Sequence, residues 1–382
     1  MKRVILVGGG HAHLSVLEDL ARNPLQTETP IEVLMITPEA FQWYSGMLPG
    51  LIAGHYTPSE CRVDLQPLLD ESGVKLILDA VIGIDANRQC VCLPDGTHID
   101  YDVLSLDVGS TTDTSWLSLS KQPVIPIKPL DRFIDRWNQF LDRVKTQGSC
   151  HIAVVGAGAA GIELALAARH VLGDDTSQYK VSLIGTTSGL LPGHGKNVTR
   201  RVQSILDQSG ITFSPHKATA TDDGLLLSSG ELLPADCVLA TTGGTAPDWL
   251  ELSKLALDPS GFVAVDACHR SLSHKNVFAV GDVCARQDKY VARSGVHAVH
   301  AGPIIAHNIR HSIIDYASTE PSREALVLKE YNAKKRSLYL LSCGSRYGVV
   351  SWGGFSFSGA WVWTWKNHID TNFIKRFSRI NE

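Results

Sequence analysis

The sequence predicts an α/β protein that contains two copies of one βαβ unit and a small α+β region at its C-terminus. Two glycine clusters, each preceded by a β-branched run and followed by a helical pattern, begin the copies: "VILVGGGHAH" at Val4 and "HIAVVGAGAAG" at His151. Further along, segments 96–109 and 230–243 align without a gap, and each carries an aspartate at its seventh position. A strand, a glycine-rich turn and a helix begin a Rossmann-like dinucleotide-binding domain, so the sequence predicts two such domains.

The glycine cluster of the second copy is complete. Gly156 allows the tight turn, Gly158 lets a pyrophosphate approach the backbone, and Gly161 lets the helix pack closely against the strand. The N-terminus of the helix then faces the phosphate charge, where its free N–H groups stabilise an anion. The pattern therefore predicts a nucleotide site in the second copy.

The glycine cluster of the first copy lacks its third member. Gly8, Gly9 and Gly10 retain the backbone that approaches a phosphate, but His13 stands where the second copy has Gly161. The sequence leaves two interpretations of this histidine open. Its imidazole either contacts the phosphates of a nucleotide or packs between the strand and the helix without touching a ligand.

A third motif follows both copies. The segment "KNVFAVGDVCARQ" is an apolar strand with Gly281 and Asp282 at its exit. A carboxylate in this place can accept a hydrogen bond from a sugar or sugar-alcohol hydroxyl. A helix is predicted to begin near Ser294 and Gly295. We expect this segment to return to the first domain and to complete its nucleotide site.

Composition excludes several classes of protein. The formal net charge is −4 over 382 residues, which gives no electrostatic reason to bind nucleic acid. The eight cysteines form no CxxC pair and no zinc-ligand spacing, so we expect no metal site and a reduced, cytoplasmic chain without a transmembrane helix. Cys90 and Cys92 share one face of a strand and are interpreted either as a vicinal dithiol or as two small buried residues.

The order of these motifs resembles the FAD/NAD(P)-dependent pyridine nucleotide-disulfide oxidoreductase family. Segments 40–56 and 361–377 resemble its type II NADH dehydrogenase-like branch, and "GGGHAH" resembles members fused to selenide, water dikinase. The resemblance implies a glutathione-reductase-like, three-layer ββα fold. It also implies an FAD-binding domain at 1–113 and 244–310, an NAD(P)H-binding domain at 114–243 and a C-terminal membrane-seating region at 311–382.

The same resemblance implies the cofactor-binding residues. FAD would lie against the first copy and the returning segment, and NADH or NADPH against the second copy. The predicted cofactor-binding residues are Gly8, Gly9, Gly10, His11, His13, Thr37, Gly109, Gly281, Asp282, Gly295 and Val296 for FAD, and Gly156, Gly158, Gly161 and Gly243 for the nicotinamide cofactor. His11 and His13 are expected at the helix start, against the flavin phosphates.

Three residues are predicted to be catalytic. Glu163 lies in the first turn of the second-copy helix, beside the nicotinamide in related dehydrogenases, and Arg293 and His300 would meet the head group of a quinone. The acidic residue that usually holds an adenosine ribose is missing from both copies. Glu39 is the nearest substitute in the first, whereas Thr186, Thr187, Lys196 and Arg200 in the second suit a 2′-phosphate. The choice between NADH and NADPH therefore stays open.

The C-terminal segment combines aromatic and basic residues. Three tryptophans alternate from Trp361 to Trp365, and a pattern of helical spacing follows. Aromatic rings beside cations suit a membrane interface, while a core-facing strand followed by a solvated basic helix is the other interpretation. The apolar and basic residues of the predicted interfacial helix are Ile369, Phe373, Ile374 and Phe377, and Lys366, His368, Lys375, Arg376 and Arg379.

We expect an FAD-dependent NAD(P)H oxidoreductase that passes electrons to a quinone or another small-molecule acceptor. It would be cytoplasmic, with peripheral attachment to the cytoplasmic face of the inner membrane, and a homodimer is one expected assembly. Two alternatives remain: a soluble flavin reductase acting on a sulfur or selenium compound, for which Cys284 and Cys343 are the nearest cysteines, and a non-catalytic flavin- and NAD(P)H-binding sensor.

Overall fold

The computed structural model describes residues 1–317, 327–334 and 337–378. Both glycine clusters lie between a strand and a helix, as the sequence predicts, because β-branched runs favour strands and the glycines end them. The helices are α1 (His11–Arg22), α2 (Leu48–Ile52), α3 (Leu65–Ser72), α4 (Leu130–Gln147), α5 (Ala159–Leu172), α6 (Lys196–Gln208), α7 (Gly295–Ala317) and α8 (Ala360–Ser378).

The structure has 25 strands in the described residues. In chain order they are β1 (Lys2–Val7), β2 (Ile31–Thr37), β3 (Phe41–Trp43), β4 (Arg62–Asp64), β5 (Lys75–Leu78), β6 (Gly83–Asp85), β7 (Cys90–Cys92), β8 (His98–Asp100), β9 (Val103–Leu106), β10 (Thr111–Thr112), β11 (Val124–Pro126), β12 (Cys150–Val155) and β13 (Tyr179–Ile184). The remaining strands are β14 (Thr212–Ser214), β15 (Ala218–Thr221), β16 (Gly224–Leu227), β17 (Leu232–Pro234), β18 (Cys237–Ala240), β19 (Gly244–Thr245), β20 (Val263–Val265), β21 (Val277–Ala279), β22 (Cys284–Arg286), β23 (Leu338–Cys343), β24 (Ser345–Trp352) and β25 (Phe355–Gly359).

Two five-stranded parallel sheets form the centres of the molecule. The first has the strand order β21-β9-β1-β2-β5, and the second has the order β11-β18-β12-β13-β14. Helix α1 connects β1 to β2, and α5 connects β12 to β13, so each copy is a βαβ unit with its helix over the sheet. The strands of the first sheet come from ranges 1–113 and 244–310 and those of the second from 114–243. This α/β architecture confirms the predicted fold class.

The internal duplication extends to atomic contacts. Gly8 and Gly156 both have positive φ, at +89° and +123°, which glycine adopts without strain. A Cβ atom on either would lie 2.5 Å from a backbone oxygen at the end of the neighbouring strand, that of Asp107 in the first copy and of Thr241 in the second. The same close approach therefore requires glycine in both copies.

The C-terminal region is a three-stranded antiparallel sheet, β23-β24-β25, followed by α8. Helix α7 continues across residue 310, where the sequence analysis expects the first domain to end. No helix in the described ranges is long and apolar enough to cross a membrane.

One face of α8 corrects the sequence analysis. Phe377 is buried, and Phe373 and Ile374 pack with it against the core that includes α1, rather than facing a membrane. Lys366 is only partly exposed and pairs with Asp370, and Arg376 is paired with Glu18. The spacing predicted a helix correctly but assigned its apolar face wrongly, because burial against protein and against lipid require the same stripe. Arg379 lies outside the described residues.

The cysteine pair lies on β7. Cys90 is buried and Cys92 is half-buried, and their sulfur atoms lie 3.7 and 3.3 Å from Nδ1 of His98. Neither takes part in a disulfide, and all eight cysteines are free thiols.

The second-copy turn gives a stability prediction. A Cβ atom at position 161 would lie 1.7 Å from the Gly156 oxygen, whereas one at position 158 would meet no atom within 4 Å. Gly161→Ala should therefore lower the free energy of unfolding by about 1–3 kcal/mol, the usual cost of overpacking, and Gly158→Ala should not. Urea denaturation of both variants measures the difference; equal losses would contradict the predicted clash.

Candidate active site

The carboxyl ends of three neighbouring strands meet at the start of α1. Gly8 follows β1, Asp107 follows β9, and Gly281 and Asp282 follow β21. A crevice at the carboxyl ends of parallel strands is the usual ligand site of an open α/β sheet. The structure thus brings the first glycine cluster and the predicted sugar-binding aspartate to one place.

Three buried polar atoms in this part of the molecule have no protein partner: His11 Nε2, Asp282 Oδ1 and Ser294 Oγ. A buried polar atom without a hydrogen bond is costly, so a bound group that supplied the missing partners would stabilise these three atoms. FAD fits this set, because its ribityl hydroxyls suit the carboxylate and its phosphates suit the glycine turn. His11, Asp282 and the backbone of the glycine cluster would hold it.

The charges around Asp282 are compensated from another element. Lys128, just before α4, pairs with Asp282 and donates to the Ser110 hydroxyl at 3.0 Å. Burial lowers the pKa of His11 to about 4; Asp282 opposes this shift and Lys128 adds to it. The His11 imidazole is therefore neutral near pH 7 and has one N–H to donate.

His13 is fully buried between α1 and the sheet. Its Nδ1 lies 2.6 Å from the Gly8 carbonyl oxygen, and its Nε2 lies 2.8 Å from the Ser105 hydroxyl. Because both ring nitrogens have protein partners, the packed interpretation describes this residue, and its imidazole is not free to hold phosphate.

The other predicted FAD residues surround the same crevice. The Thr37 hydroxyl lies beside Gly9, where an added Cβ would be 3.7 Å from it, and Gly295 begins α7 beside Ser45. No atom lies within 4 Å of a Cβ built on Gly109, so the backbone there is open to a ligand. Val296 is exposed on the first turn of α7.

The second copy presents an open helix N-terminus. Gly158 precedes α5 with no side-chain cap, and Cβ atoms on Gly158 or Gly243 would meet no atom within 4 Å. Gly185 follows β13 and is packed against Ala157 and Phe213, which leaves no room for the usual ribose-binding carboxylate. Lys196 and Arg200 line a nearby open cavity of ≈ 650 Å³.

Glu163 lies where α5 meets the C-terminal region. Its Oε1 accepts a hydrogen bond from the Ser342 amide at 2.7 Å. Burial raises the pKa of this carboxyl to about 7; Lys366 and the Ser342 amide lower it, and Asp370 raises it. Glu163 can therefore hold or release a proton near neutral pH.

Lys366 and Asp370 form a buried ion pair on α8. The Lys366 ammonium donates to Asp370 Oδ2 and to the Gly46 carbonyl oxygen, both at 2.6 Å. Tyr44 stacks on Phe373 with ring centroids 4.4 Å apart, and burial and then Asp370 raise its pKa. The cluster joins the first domain, the second copy and α8.

The structure does not bring Arg293 and His300 to this cluster. The Arg293 guanidinium lies over the Phe262 ring at 3.7 Å, and His300 is exposed on α7. No hydrogen bond, ion pair or ring contact within the described ranges joins either residue to Glu163. Lys366 is the cation that acts on the Glu163 carboxyl, and the sequence analysis did not assign it to the site.

Sequence reasoning missed Lys366, Asp370, Tyr44 and Asp107. The spacing of Lys366 and Asp370, four residues apart in a predicted helix, is the signal that could have identified the ion pair. For Asp107 the signal was its alignment with Thr241: the first copy has an acid at the strand end where the second copy has a threonine.

Comparison with known proteins agrees with this geometry. Residues 2–302 match the family described as pyridine nucleotide-disulphide oxidoreductase. The chain is 26% identical over 386 residues to oxidoreductase ptaL of Pestalotiopsis fici, covering 95% of each chain. It is 25% identical over 297 residues to demethylphylloquinone reductase NdbB of Synechocystis, covering 75% of this chain and 72% of that one. Its fold matches NDH2 of Plasmodium falciparum in complex with NADH, with a TM-score of 0.77, 13% identity and 99% of each chain covered.

Two parallel βαβ domains, with an aspartate at the end of a neighbouring strand that has one unpartnered carboxylate oxygen, are the features of a dinucleotide-dependent flavoprotein. The family match covers most of the chain, which belongs to the pyridine nucleotide-disulphide oxidoreductase family. It is an oxidoreductase whose cofactors are FAD and NADH or NADPH, as the sequence predicts. NADH dehydrogenase-like proteins are among its homologues, including MT1860 of Mycobacterium tuberculosis at 27% identity over 302 residues, covering 75% of this chain and 73% of that one.

The buried carboxyl of Glu163 gives a pH prediction. Its pKa is about 7 in the folded chain and 4.5 ordinarily, so folding favours the protonated acid. Stability from this group should fall as pH rises from about 5 to about 7 and then level off. Glu163→Gln should remove on the order of 1–2 kcal/mol of that fall, allowing for residual exposure. Urea denaturation across this range tests it, and parallel curves for both proteins would contradict it.

Proposed function

We propose that this protein oxidises NAD(P)H and reduces a quinone. The cluster of Glu163, Lys366 and Asp370 carries the proposal, because it places a proton-holding acid beside a fixed cation between the second copy and α8. FAD, when bound, accepts a hydride from the nicotinamide and passes electrons to the second substrate. The relative NdbB, a demethylphylloquinone reductase, supports a quinone as that substrate.

The chain's own residues would supply the proton chemistry. Quinone reduction consumes protons, and a carboxyl with a pKa near 7 can deliver one at neutral pH. The Ser342 amide holds Glu163 Oε1, which leaves Oε2 to carry the proton. Lys366 would stabilise negative charge on a reduced quinone, because two fixed acceptors, Asp370 and the Gly46 oxygen, hold its ammonium in place.

The electron acceptor is tested by following the flavin absorbance. NADH or NADPH should bleach the flavin anaerobically, and a short-chain quinone should restore it. Lys366→Met should slow reoxidation by quinone by roughly tenfold to a hundredfold, in the range of a lost electrostatic contact, and change the bleaching rate less. Stopped-flow measurement of both half-reactions separates the steps.

The control for that experiment is Lys375→Met, because Lys375 is an exposed cation on the same helix. It should leave both rates unchanged. Reoxidation by a sulfur or selenium compound but not by quinones would replace the proposed acceptor. A flavin that neither nicotinamide bleaches would leave only a binding function.

We also propose peripheral membrane attachment, through a surface that keeps Trp361, Trp365 and Ile369 of the expected segment but not its packed residues Phe373, Ile374 and Phe377. Six large apolar side chains, which we call the aromatic patch, are exposed on β24, β25 and α8: Trp352, Phe355, Phe357, Trp361, Trp365 and Ile369. A concentration of exposed aromatic rings on a soluble domain marks an interaction surface, and indole rings favour the membrane interface. A homodimer stays a prediction.

Membrane attachment is tested with the combined variant Phe355→Ser, Trp361→Ser, Trp365→Ser. Each substitution removes apolar surface that a bilayer would bury, so binding to anionic vesicles should weaken by about tenfold or more. Vesicle co-sedimentation measures the change. The matched control is Leu119→Ser with Leu252→Ser, two residues 74% and 77% exposed outside the patch. Equal binding by both variants would contradict the proposed surface.

A further inference from the structure

The two copies differ in a linked set of three positions. Where the second copy has Gly161, Leu239 and Thr241, the first has His13, Ser105 and Asp107. In the second copy the Thr241 hydroxyl donates a hydrogen bond to the Gly156 carbonyl oxygen at 3.1 Å. The corresponding oxygen in the first copy, that of Gly8, is met instead by His13 Nδ1 at 2.6 Å.

The partners of His13 fix its protonation. A carbonyl oxygen can only accept, so Nδ1 carries the proton, and Nε2 accepts from the Ser105 hydroxyl at 2.8 Å. Burial lowers the pKa of His13 to about 4, which agrees with a neutral ring. His13 and Ser105 together replace the threonine contact, and this leaves the side chain at position 107 free for another role.

The Asp107 side chain caps the N-terminus of α1. Its Oδ2 accepts from the amides of Ala12 and His13 at 2.9 and 3.1 Å, and a Cβ on Gly10 would lie 2.4 Å from both carboxylate oxygens. In the second copy no side chain within the described ranges accepts from the matching amides, and Gly158 faces open space. The first copy thus carries its own carboxylate where a dinucleotide site presents amides to phosphate.

The charges around Asp107 make an ionised carboxylate incompatible with a second anion. Asp282, on the 3₁₀ turn after β21, adds a negative charge near Asp107. Lys128 forms an ion pair with Oδ2 of Asp282. His11 on α1 is neutral near pH 7, and burial holds the thiol of Cys284, on β22, protonated. No cation adjoins Asp107 itself in the described contacts, so a pyrophosphate arriving at α1 would meet an unscreened carboxylate.

We propose that FAD binding to the first copy is coupled to the uptake of one proton by Asp107. The proton comes from solvent, and the neutral acid then accepts from the α1 amides through one oxygen and can donate to a phosphate oxygen through the other. The proposal rests on the assignment of FAD to the first copy. It makes Asp107 a cofactor-binding residue whose protonation sets the affinity for FAD.

The pH range follows from the ionisation of the free site. Burial raises the pKa of Asp107 to about 7, the two amides oppose this shift, and Asp282 adds to it. Below about pH 6 the acid is already protonated, so FAD affinity should not depend on pH. Above about pH 7 Asp107 must take up a proton from solvent for each FAD molecule that binds. The dissociation constant of FAD should therefore rise by up to about tenfold per pH unit.

Calorimetric titration of FAD into the full chain freed of cofactor tests the proposal. Titrations between about pH 6 and pH 9, in two buffers of different ionisation enthalpy, report both affinity and protons taken up. The wild-type chain should take up close to one proton per FAD near pH 8 and almost none near pH 6. Asp107→Asn should take up none and should keep its affinity constant.

Glu18→Gln is the matched control, because it removes another buried carboxylate of α1, one that is paired with Arg22 and Arg376. Its proton uptake should equal that of the wild-type chain. If Asp107→Asn does not fold, Asp107→Thr, which carries the residue of the second copy, replaces it. FAD binding without proton uptake by the wild-type chain would overturn the proposal and leave the FAD assignment intact, whereas no FAD binding at all would overturn both.

Discussion

The close approach of two backbone segments at the end of each central strand governs the site. Gly8 and Gly156 lie so near the strand-end residues Asp107 and Thr241 that no side chain fits between them. This approach directs the following helix at the crevice between neighbouring strands, and the helix presents its free amides there. The returning strand β21 then brings Asp282 to the same crevice. The glycine turn and β21 together position the groups that meet in this crevice.

Acidic residues of the site interact with groups from other parts of the chain. Asp282 belongs to the first domain, but its cation, Lys128, lies at the start of the second. Glu163 belongs to the second copy, yet Ser342 and Lys366 of the C-terminal region surround it. Each acid is therefore stabilised only when the domains are docked, since a buried carboxylate without its partner is costly. The site is a property of the whole assembly and not of either βαβ unit alone.

Local patterns allowed much of this to be predicted from sequence. The glycines, Asp282 and the helix at Gly295 follow from short motifs whose geometry the backbone dictates, and Glu163 follows from its place after Gly161. Tyr44 escaped because its partner Asp370 lies hundreds of residues away, and no periodicity reports such a pair. The spacing of Lys366 and Asp370 was visible in the sequence, but the distant contact with Gly46 that fixes the pair at the site was not. The face of α8 with Phe373 and Phe377 was misassigned because an apolar stripe does not specify what covers it.

The exchange of Gly161, Leu239 and Thr241 for His13, Ser105 and Asp107 also constrains how a duplicated chain diverges. Replacing His13 alone by glycine would leave a cavity and leave the Ser105 hydroxyl without its partner. Replacing Ser105 alone by leucine would leave Nε2 of His13 without its partner. A chain with only one of these replacements is therefore expected to be less stable than a chain with either complete set. The three positions therefore have to change together, whichever copy is altered.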